Sequence, residues 1–89
     1  MPGKKPTVLI VDDNASQLEI LSNMLGGLDI KIKTANDGKQ ALDVVQDQEF
    51  FAVITDINMP AMNGYDLALE LQGIPHCKGL PIIFITFNP

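Results

Sequence analysis

Seven residues near the start of the chain decide its fold: Val8-Leu9-Ile10-Val11-Asp12-Asp13-Asn14. Four consecutive apolar residues are typical of a short strand that is buried on both faces of a parallel sheet. The two aspartates end this strand, and Asn14, a helix-capping residue type, precedes a helical stripe of leucines. The stretch therefore predicts a β-strand, an acidic turn and an α-helix in immediate succession.

The same alternation of strands and helices continues along the chain. The first helix carries its apolar stripe at four leucines and is stopped by a glycine pair, namely Leu18, Leu21, Leu25, Leu28 and Gly26-Gly27. Three further strands are expected at Ile30 to Thr34, Phe51 to Ile54 and Ile82 to Ile85. Two further helices are indicated by the apolar positions Ala41, Leu42 and Val45, and Leu67, Leu71 and Ile74.

This β-α-β-α-β-α-β pattern predicts an α/β fold with a parallel sheet and right-handed crossovers. The second strand alternates apolar residues with Lys31 and Lys33, which suits an edge of the sheet because lysine discourages pairing with another chain. The strands beginning at Val8 and Phe51 are apolar throughout and belong inside. The strand order 2-1-3-4 satisfies both requirements, and it creates a switch point beyond the carboxyl ends of the first and third strands.

Three carboxylates are expected to meet at this switch point. Asp12 and Asp13 follow the first strand, and Asp56 follows the third. Taken singly, Asp13 or Asn14 could cap the first helix, and a cap is the better interpretation of an acidic residue at that place, while Asp56 could be an ordinary turn residue. Together, three anions a few ångströms apart repel one another unless they are protonated or matched by a cation, and no lysine is placed to match them. An all-oxygen ligand set favours Mg²⁺ or a similar hard cation.

The predicted pocket suits phosphoryl transfer. A carboxylate beside Mg²⁺ can attack a phosphoryl group and become an acyl phosphate. Thr86 ends the fourth strand, so that its hydroxyl can face Asp56 and bind a phosphoryl oxygen. On its own, however, Thr86 is better interpreted as a strand-favouring residue.

These motifs resemble those of response-regulator receiver domains, which have a flavodoxin-like fold. The similarity runs from about Thr7 to Thr86 and rests on the motifs Leu9-Ile10-Val11-Asp12-Asp13-Asn14, Asp37-Gly38, Thr55-Asp56-Ile57-Asn58-Met59-Pro60-Ala61-Met62-Asn63-Gly64 and Pro81-Ile82-Ile83-Phe84-Ile85-Thr86. The combination of the acidic pair with D-x-x-M-P-x-M-x-G is highly specific.

The resemblance implies a cytoplasmic phosphoprotein of two-component phosphorelay signal transduction, in which a histidine kinase or phosphotransfer protein phosphorylates Asp56. It implies a regulatory phosphoacceptor and not an enzyme. It also implies Mg²⁺ bound by Asp13, Asp56 and the backbone carbonyl of Asn58, with Asp12 ligating directly or through water. Thr86 would be the phosphate-sensing hydroxyl, and Pro60 and Gly64 would shape the loop after Asp56.

The chain departs from the family pattern at its end. Residues 1–89 correspond to a single, incomplete receiver domain, without the final helix, strand and helix and without the lysine that contacts the phosphoryl group. The family usually has a small residue after the threonine, whereas Phe87 is bulky and could crowd the phosphate, and Asn63 replaces a commoner acidic residue. The fourth strand would then be an exposed apolar edge, which predicts either a truncated domain or self-association through that strand.

Composition excludes several other classes of protein. The net charge is −5 and arginine is absent, so direct nucleic-acid binding is not expected. No apolar run is long enough to cross a membrane. The single cysteine, Cys77, excludes an internal disulfide, which makes a reducing cytoplasm the default. His76 and Cys77 are expected on a surface loop rather than in a metal site.

Other functions remain as alternatives. A degenerate receiver that binds partners without phosphorylation would keep the fold and the acidic pocket. An aspartate-nucleophile phosphatase wants a second acid two residues after the nucleophile, where this chain has Asn58. A flavin-nucleotide binder needs a phosphate loop after the first strand, where Asp12 and Asp13 would repel phosphate. A dinucleotide-binding fold lacks its G-x-G-x-x-G motif.

Overall fold

A computed structural model describes residues 5–86. The elements alternate as predicted and follow in the order β1 (Thr7–Val11), α1 (Ala15–Leu25), β2 (Lys31–Ala35), α2 (Gly38–Asp47), β3 (Ala52–Asp56), α3 (Gly64–Gln72), a short 3₁₀ turn (Pro75–Cys77) and β4 (Ile82–Ile85). The expectation for Phe87 lies outside the described residues.

The four strands form one parallel sheet in the order β2-β1-β3-β4, which confirms the predicted topology. β2 lies on one side of β1 in the sheet, whereas β3 and β4 lie on the other side. Right-handed crossovers therefore place α1 on one face and α2 and α3 on the other. None of the helices formed by residues 5–86 is long and apolar enough to cross a lipid bilayer.

The hydrophobic core lies between the sheet and the α2–α3 face. Alternate residues of the inner strands point into it, because side chains alternate between the two faces of a strand. Its fully buried members include Leu9, Val11, Val45, Val53, Leu67 and Leu71. On the opposite face, Val8 and Ile10 are buried, but α1 contains no fully buried residue. The α1 side is therefore the more thinly packed side of the sheet.

Several expectations about single elements were wrong. Phe51 lies before the start of β3 and is 65% exposed. Ile54 is half-buried, because it lies on the more thinly packed α1 side of β3. Leu28 lies beyond the end of α1 at Leu25 and is exposed. Ile74 lies beyond α3, although it still packs against the core.

The segment that links α3 to β4 also differs from expectation. Cys77 is buried in the core instead of lying on the surface, since the 3₁₀ turn folds it inward. His76 places Nε2 2.6 Å from the backbone oxygen of Val45, which anchors this turn to α2.

Candidate phosphoryl-acceptor site

The backbone brings the acidic residues to one end of the sheet. β1 and β3 are neighbours with Val11 opposite Thr55, so Asp12 and Asp56 sit side by side where these strands finish. The Asp12 N–H donates to the Ala35 carbonyl at 3.1 Å, which continues the ladder to β2. Both aspartates therefore stand on rigid strand ends, as the strand order predicted.

The carboxylates of Asp12, Asp13 and Asp56 form one cluster. Each offers an oxygen such that all three oxygens lie within 4.8 Å of one another. Asp12 is fully buried and Asp56 is only 6% exposed, whereas Asp13 is exposed. The cluster thus has two sheltered members and one member that faces solvent.

The surroundings of Asp12 disfavour the ionised form of its carboxyl and raise its pKa. Burial raises the pKa of its carboxyl above the ordinary value of 3.8, and the charges of Asp56 and Asp13 raise it further. The backbone N–H of Asn14 opposes this rise by donating to Oδ1 at 2.9 Å. Asn14 also caps α1, because its side-chain oxygen accepts the N–H of Gln17 at 3.1 Å.

Hydrogen bonds hold both the side chain and the backbone of Asp56. Its Oδ1 accepts the backbone N–H of Asn58 at 3.2 Å, and its backbone oxygen accepts the buried hydroxyl of Thr55 at 3.0 Å. β4 is tied to the same point, since the Ile57 N–H donates to the Ile85 carbonyl at 3.0 Å. The second oxygen of Asp56 can therefore face the cluster while the first is fixed.

Thr86 reaches the site through Asn58. The side-chain amide of Asn58 donates to the Thr86 hydroxyl oxygen at 3.4 Å, and the Asn58 backbone N–H donates to Asp56. The Thr86 hydroxyl thus lies at the same end of the sheet as the acidic cluster and is linked to the Asp56 carboxylate by one residue.

The loop between β3 and α3 folds tightly against Asp56. The Gly64 N–H donates to the Ile57 carbonyl at 2.9 Å, and a Cβ at Gly64 would lie 2.5 Å from the Asp56 backbone oxygen. Gly64 is therefore required by close approach, in agreement with its predicted role. The left-handed residue of this loop is Ala61, with a φ of 69°, which the sequence did not indicate.

A cleft of about 440 Å³ opens beside the cluster. It lies between the loop before α2 and the loop before α3, and its lining includes Asp13, Asp37, Lys39, Pro60 and Met62. Met62 packs closely against Gly38, because a Cβ added at Gly38 would lie 2.5 Å from the Met62 sulfur. The cleft gives the exposed Asp13 carboxylate a partly apolar neighbourhood.

The donor set fits a hard divalent cation. Within residues 5–86 no lysine forms an ion pair with the three carboxylates, and the ion pair found there joins Lys5 to Asp29 at the other end of the sheet. Oxygen ligands from three carboxylates suit Mg²⁺, whose charge would offset their mutual repulsion. The residues that sequence reasoning missed are Gln17, whose amide contacts Asp12, and Ala61.

Comparisons with known proteins agree with this geometry. The family model for the response regulator receiver domain matches residues 8–89. The chain is 38% identical over 81 residues to the sensor histidine kinase RcsC of Escherichia coli, covering 91% of this chain and 8% of RcsC. It is 37% identical over 85 residues to the chemotaxis protein CheY-3 of Vibrio cholerae, covering 94% of this chain and 65% of CheY-3.

Solved structures show the same fold. The chemotaxis protein CheY4 of Vibrio cholerae superposes with a TM-score of 0.90 at 31% identity, covering 97% of this chain and 72% of that one. The receiver domain of sensor histidine kinase PA1611 from Pseudomonas aeruginosa, which has a magnesium ion coordinated in its active site cleft, gives a TM-score of 0.87 at 27% identity. That match covers 96% of this chain and 70% of that one.

Proposed function

This chain belongs to the response regulator receiver domain family, and we propose that it accepts a phosphoryl group on Asp56 in a Mg²⁺-dependent reaction. The donor is the phosphohistidine of a histidine kinase or phosphotransfer protein. The single observation that carries the proposal is the gathering of three carboxylate oxygens within 4.8 Å at the ends of β1 and β3.

The ligands proposed for Mg²⁺ are Asp13, Asp56 and the backbone carbonyl of Asn58, with Asp12 ligating directly or through water. The mixed burial of the cluster supports metal binding there, because exposed Asp13 can be reached by an incoming ion while buried Asp12 and Asp56 hold fixed positions. When bound, the ion offsets negative charge on the carboxylates and on the phosphoryl oxygens.

The chain's own groups then have distinct tasks. A carboxylate oxygen of Asp56 attacks phosphorus, forming a P–O bond while the P–N bond of the donor phosphohistidine breaks and its imidazole nitrogen departs with the electron pair. The Asn58 N–H keeps the other oxygen of Asp56 in place. The Thr86 hydroxyl donates to a phosphoryl oxygen after the transfer, and this contact signals the modified state.

The domain is proposed to act as a cytoplasmic regulatory phosphoprotein and not as an enzyme with turnover of its own. Its partners are therefore other proteins of a two-component phosphorelay. The charge of −5 and the absence of arginine argue against direct contact with nucleic acid, and within residues 5–86 no helix is proposed to enter a membrane.

Beryllofluoride, which mimics an acyl phosphate, tests the proposal directly. Saturation with beryllofluoride in the presence of Mg²⁺ should shift the nuclear magnetic resonance signals of Asp56, Asn58 and Thr86, and Asp56→Asn should abolish the shifts. Incubation with acetyl phosphate and Mg²⁺ should add one phosphoryl mass to the wild type alone. Wild-type protein that is folded and unchanged in both assays would overturn the proposal.

A phosphate-free interaction module is the second candidate. It is favoured by the absence, within residues 5–86, of a lysine paired with the acidic cluster, since such a cation would help to bind the phosphoryl group. The beryllofluoride assay separates the two functions, because the module would keep its fold and its partner binding without responding to the analogue.

We also propose that the 89-residue chain self-associates through β4. Over the described part of the chain no strand pairs with its outer edge, where Ile83 is 50% exposed and Phe84 is 37% exposed. Exposed apolar strand edges favour pairing with a second copy. Sedimentation should detect a dimer that Ile83→Lys disrupts and Leu28→Lys, a matched change in an exposed loop, does not. A compact wild-type monomer at high concentration would refute this proposal.

A further inference from the structure

Gln17 makes a side-chain contact that the phosphorylation chemistry does not require. With its amide nitrogen turned toward Asp12, it donates to Oδ2 at 2.8 Å and to Oδ1 at 3.3 Å. The opposite orientation would set the amide oxygen against two carboxylate oxygens, so the hydrogen-bond network assigns the nitrogen to this side. Gln17 is therefore a hydrogen-bond donor to a fully buried carboxylate.

The beginning of α2 shows what a glutamine at this position otherwise does. Gln40 lies three residues after the cap Asp37, as Gln17 lies three residues after the cap Asn14. Gln40 uses its oxygen to accept the Asn36 N–H at 2.7 Å, a variant of the capping box. In α1 a standard capping box would have Gln17 accept the N–H of the cap itself, Asn14, but that N–H donates to Asp12 instead. The side chain of Gln17 is thereby free to act as a donor.

A count of lone pairs gives this contact a consequence. A carboxylate has about four lone-pair directions in total. On Asp12, Oδ1 accepts from Asn14 and Gln17, while Oδ2 accepts from Gln17. One direction, on Oδ2, therefore remains for a metal ion or a metal-bound water.

We propose that Gln17 is a positioning residue that fixes the Asp12 carboxylate so that it offers a single oxygen, Oδ2, to the cation. This inference rests on the proposed function, since the cation is the Mg²⁺ of that reaction. Without Gln17 the carboxylate retains one fixed hydrogen bond, to Asn14, and can rotate about it. Loss of such an orienting partner typically weakens metal binding by about 10-fold or more.

The test compares Gln17→Met with Gln40→Met. Both substitutions replace a glutamine at the third helical position with a good helix former, and only the first removes a contact with Asp12. Isothermal titration with MgCl₂ should give a dissociation constant about 10-fold higher for Gln17→Met and unchanged for Gln40→Met. Equal affinities for Gln17→Met and wild type would overturn the inference.

A second readout begins with the side-chain N–H signals of metal-free wild-type protein, which need neither metal binding nor a variant. In metal-free wild-type protein the side-chain N–H signals of Gln17 should be displaced from those of Gln40, and MgCl₂ should shift the former alone. In Gln17→Met the backbone N–H signal of Asn14 should move, because its acceptor is no longer held. Unperturbed Gln17 side-chain signals in the wild type would refute the contact.

The two readouts separate this inference from the proposed function. If the wild type does not bind Mg²⁺, the metal site fails, and the signals of Gln17 and Asn14 still decide whether Gln17 orients Asp12. If the wild type binds Mg²⁺ and Gln17→Met binds it equally well, the site stands and the positioning role fails.

Discussion

The side-chain amide of Asn58 donates to the hydroxyl oxygen of Thr86 at 3.4 Å, although 28 residues separate the two in the chain. Because the same residue donates its backbone N–H to Asp56, it couples the Asp56 carboxylate to the end of β4. We therefore expect a group added to Asp56 to come within reach of the Thr86 hydroxyl.

This relationship predicts different effects for two substitutions of Thr86. Thr86→Val keeps the shape but removes the hydroxyl, and a hydrogen bond to a charged group contributes about 1.5–3 kcal/mol. We expect beryllofluoride to bind at least about 10-fold more weakly to Thr86→Val than to wild type, and with nearly wild-type affinity to Thr86→Ser. Fluorine nuclear magnetic resonance measures both affinities. Equal affinity of Thr86→Val and wild type would contradict a phosphate-binding role.

Removal of one charge from the cluster should stabilise the metal-free protein. Asp56→Asn keeps an oxygen that can accept the Asn58 N–H but ends the repulsion with Asp12 and Asp13. We expect a gain of about 1 kcal/mol in the free energy of unfolding, measured by urea denaturation in a chelator. Asp47→Asn, at the end of α2, is the control and should change little. A loss of stability in Asp56→Asn would show that the repulsion is already compensated.

The raised pKa of Asp12 predicts how stability depends on pH. The folded protein binds the carboxyl proton of Asp12 more tightly than the unfolded chain does. The contribution of Asp12 to the free energy of unfolding is therefore fully present below pH 3.8 and is lost as the pH rises through the pKa of the folded state. Metal-free wild type should therefore lose part of its stability as pH rises from that value toward neutrality. Asp12→Asn should remove this component, and identical urea midpoint profiles for the two proteins would contradict the assignment.

Gly64 should not tolerate a side chain. A Cβ would lie 2.5 Å from the Asp56 backbone oxygen and 3.1 Å from the Ile57 Cα, and neither backbone atom can move without disturbing the site. We expect Gly64→Ala to cost about 2 kcal/mol and to weaken Mg²⁺ binding, whereas Gly27→Ala, with no atom within 4 Å of its added Cβ, should be tolerated. Equal unfolding midpoints for the two variants would argue against the close approach.

Replacement of Ala61 by glycine should stabilise the folded protein. The φ of 69° at Ala61 is left-handed, which costs a residue with a Cβ about 1–2 kcal/mol. Part of the gain is offset by the greater backbone entropy of glycine, so Ala61→Gly should stabilise by about 0.5–1 kcal/mol in thermal unfolding. Ala68→Gly, inside α3, should instead destabilise by about 1 kcal/mol. A destabilising Ala61→Gly would show that the loop holds no such strain.

Much of the fold could be predicted because charge and periodicity act over whole strands. The lysines of β2 identified an edge, and the apolar strands that include Val8 and Val53 identified the centre, which fixed the strand order. The cluster followed from that order, since residues after neighbouring parallel strands must meet. These predictions did not depend on any single side chain.

The predictions that failed depend on neighbours rather than on local pattern. Phe51 and Leu28 are apolar, but their burial is decided by whether another element covers them, and here none of the described elements does. Cys77 is buried because the 3₁₀ turn folds toward the core. The conformation of Ala61 carries no propensity signal, because alanine ordinarily avoids it. Gln17 donates to Asp12 instead of forming a capping box, because Asp12 already accepts the Asn14 N–H that the capping box would use. This arrangement depends on a residue outside the helix and its cap.

α1 contains no fully buried residue, and this affects how readily the helix unfolds locally. Elements with few buried contacts open locally at a free energy well below that of global unfolding, so the amide protons of α1 should exchange with solvent sooner than those of β1 and β3. An ion shared by Asp13 and Asp56 would fasten the start of α1 to the end of β3 and slow that opening. The exchange rates of this one helix would then record whether the acidic cluster is occupied.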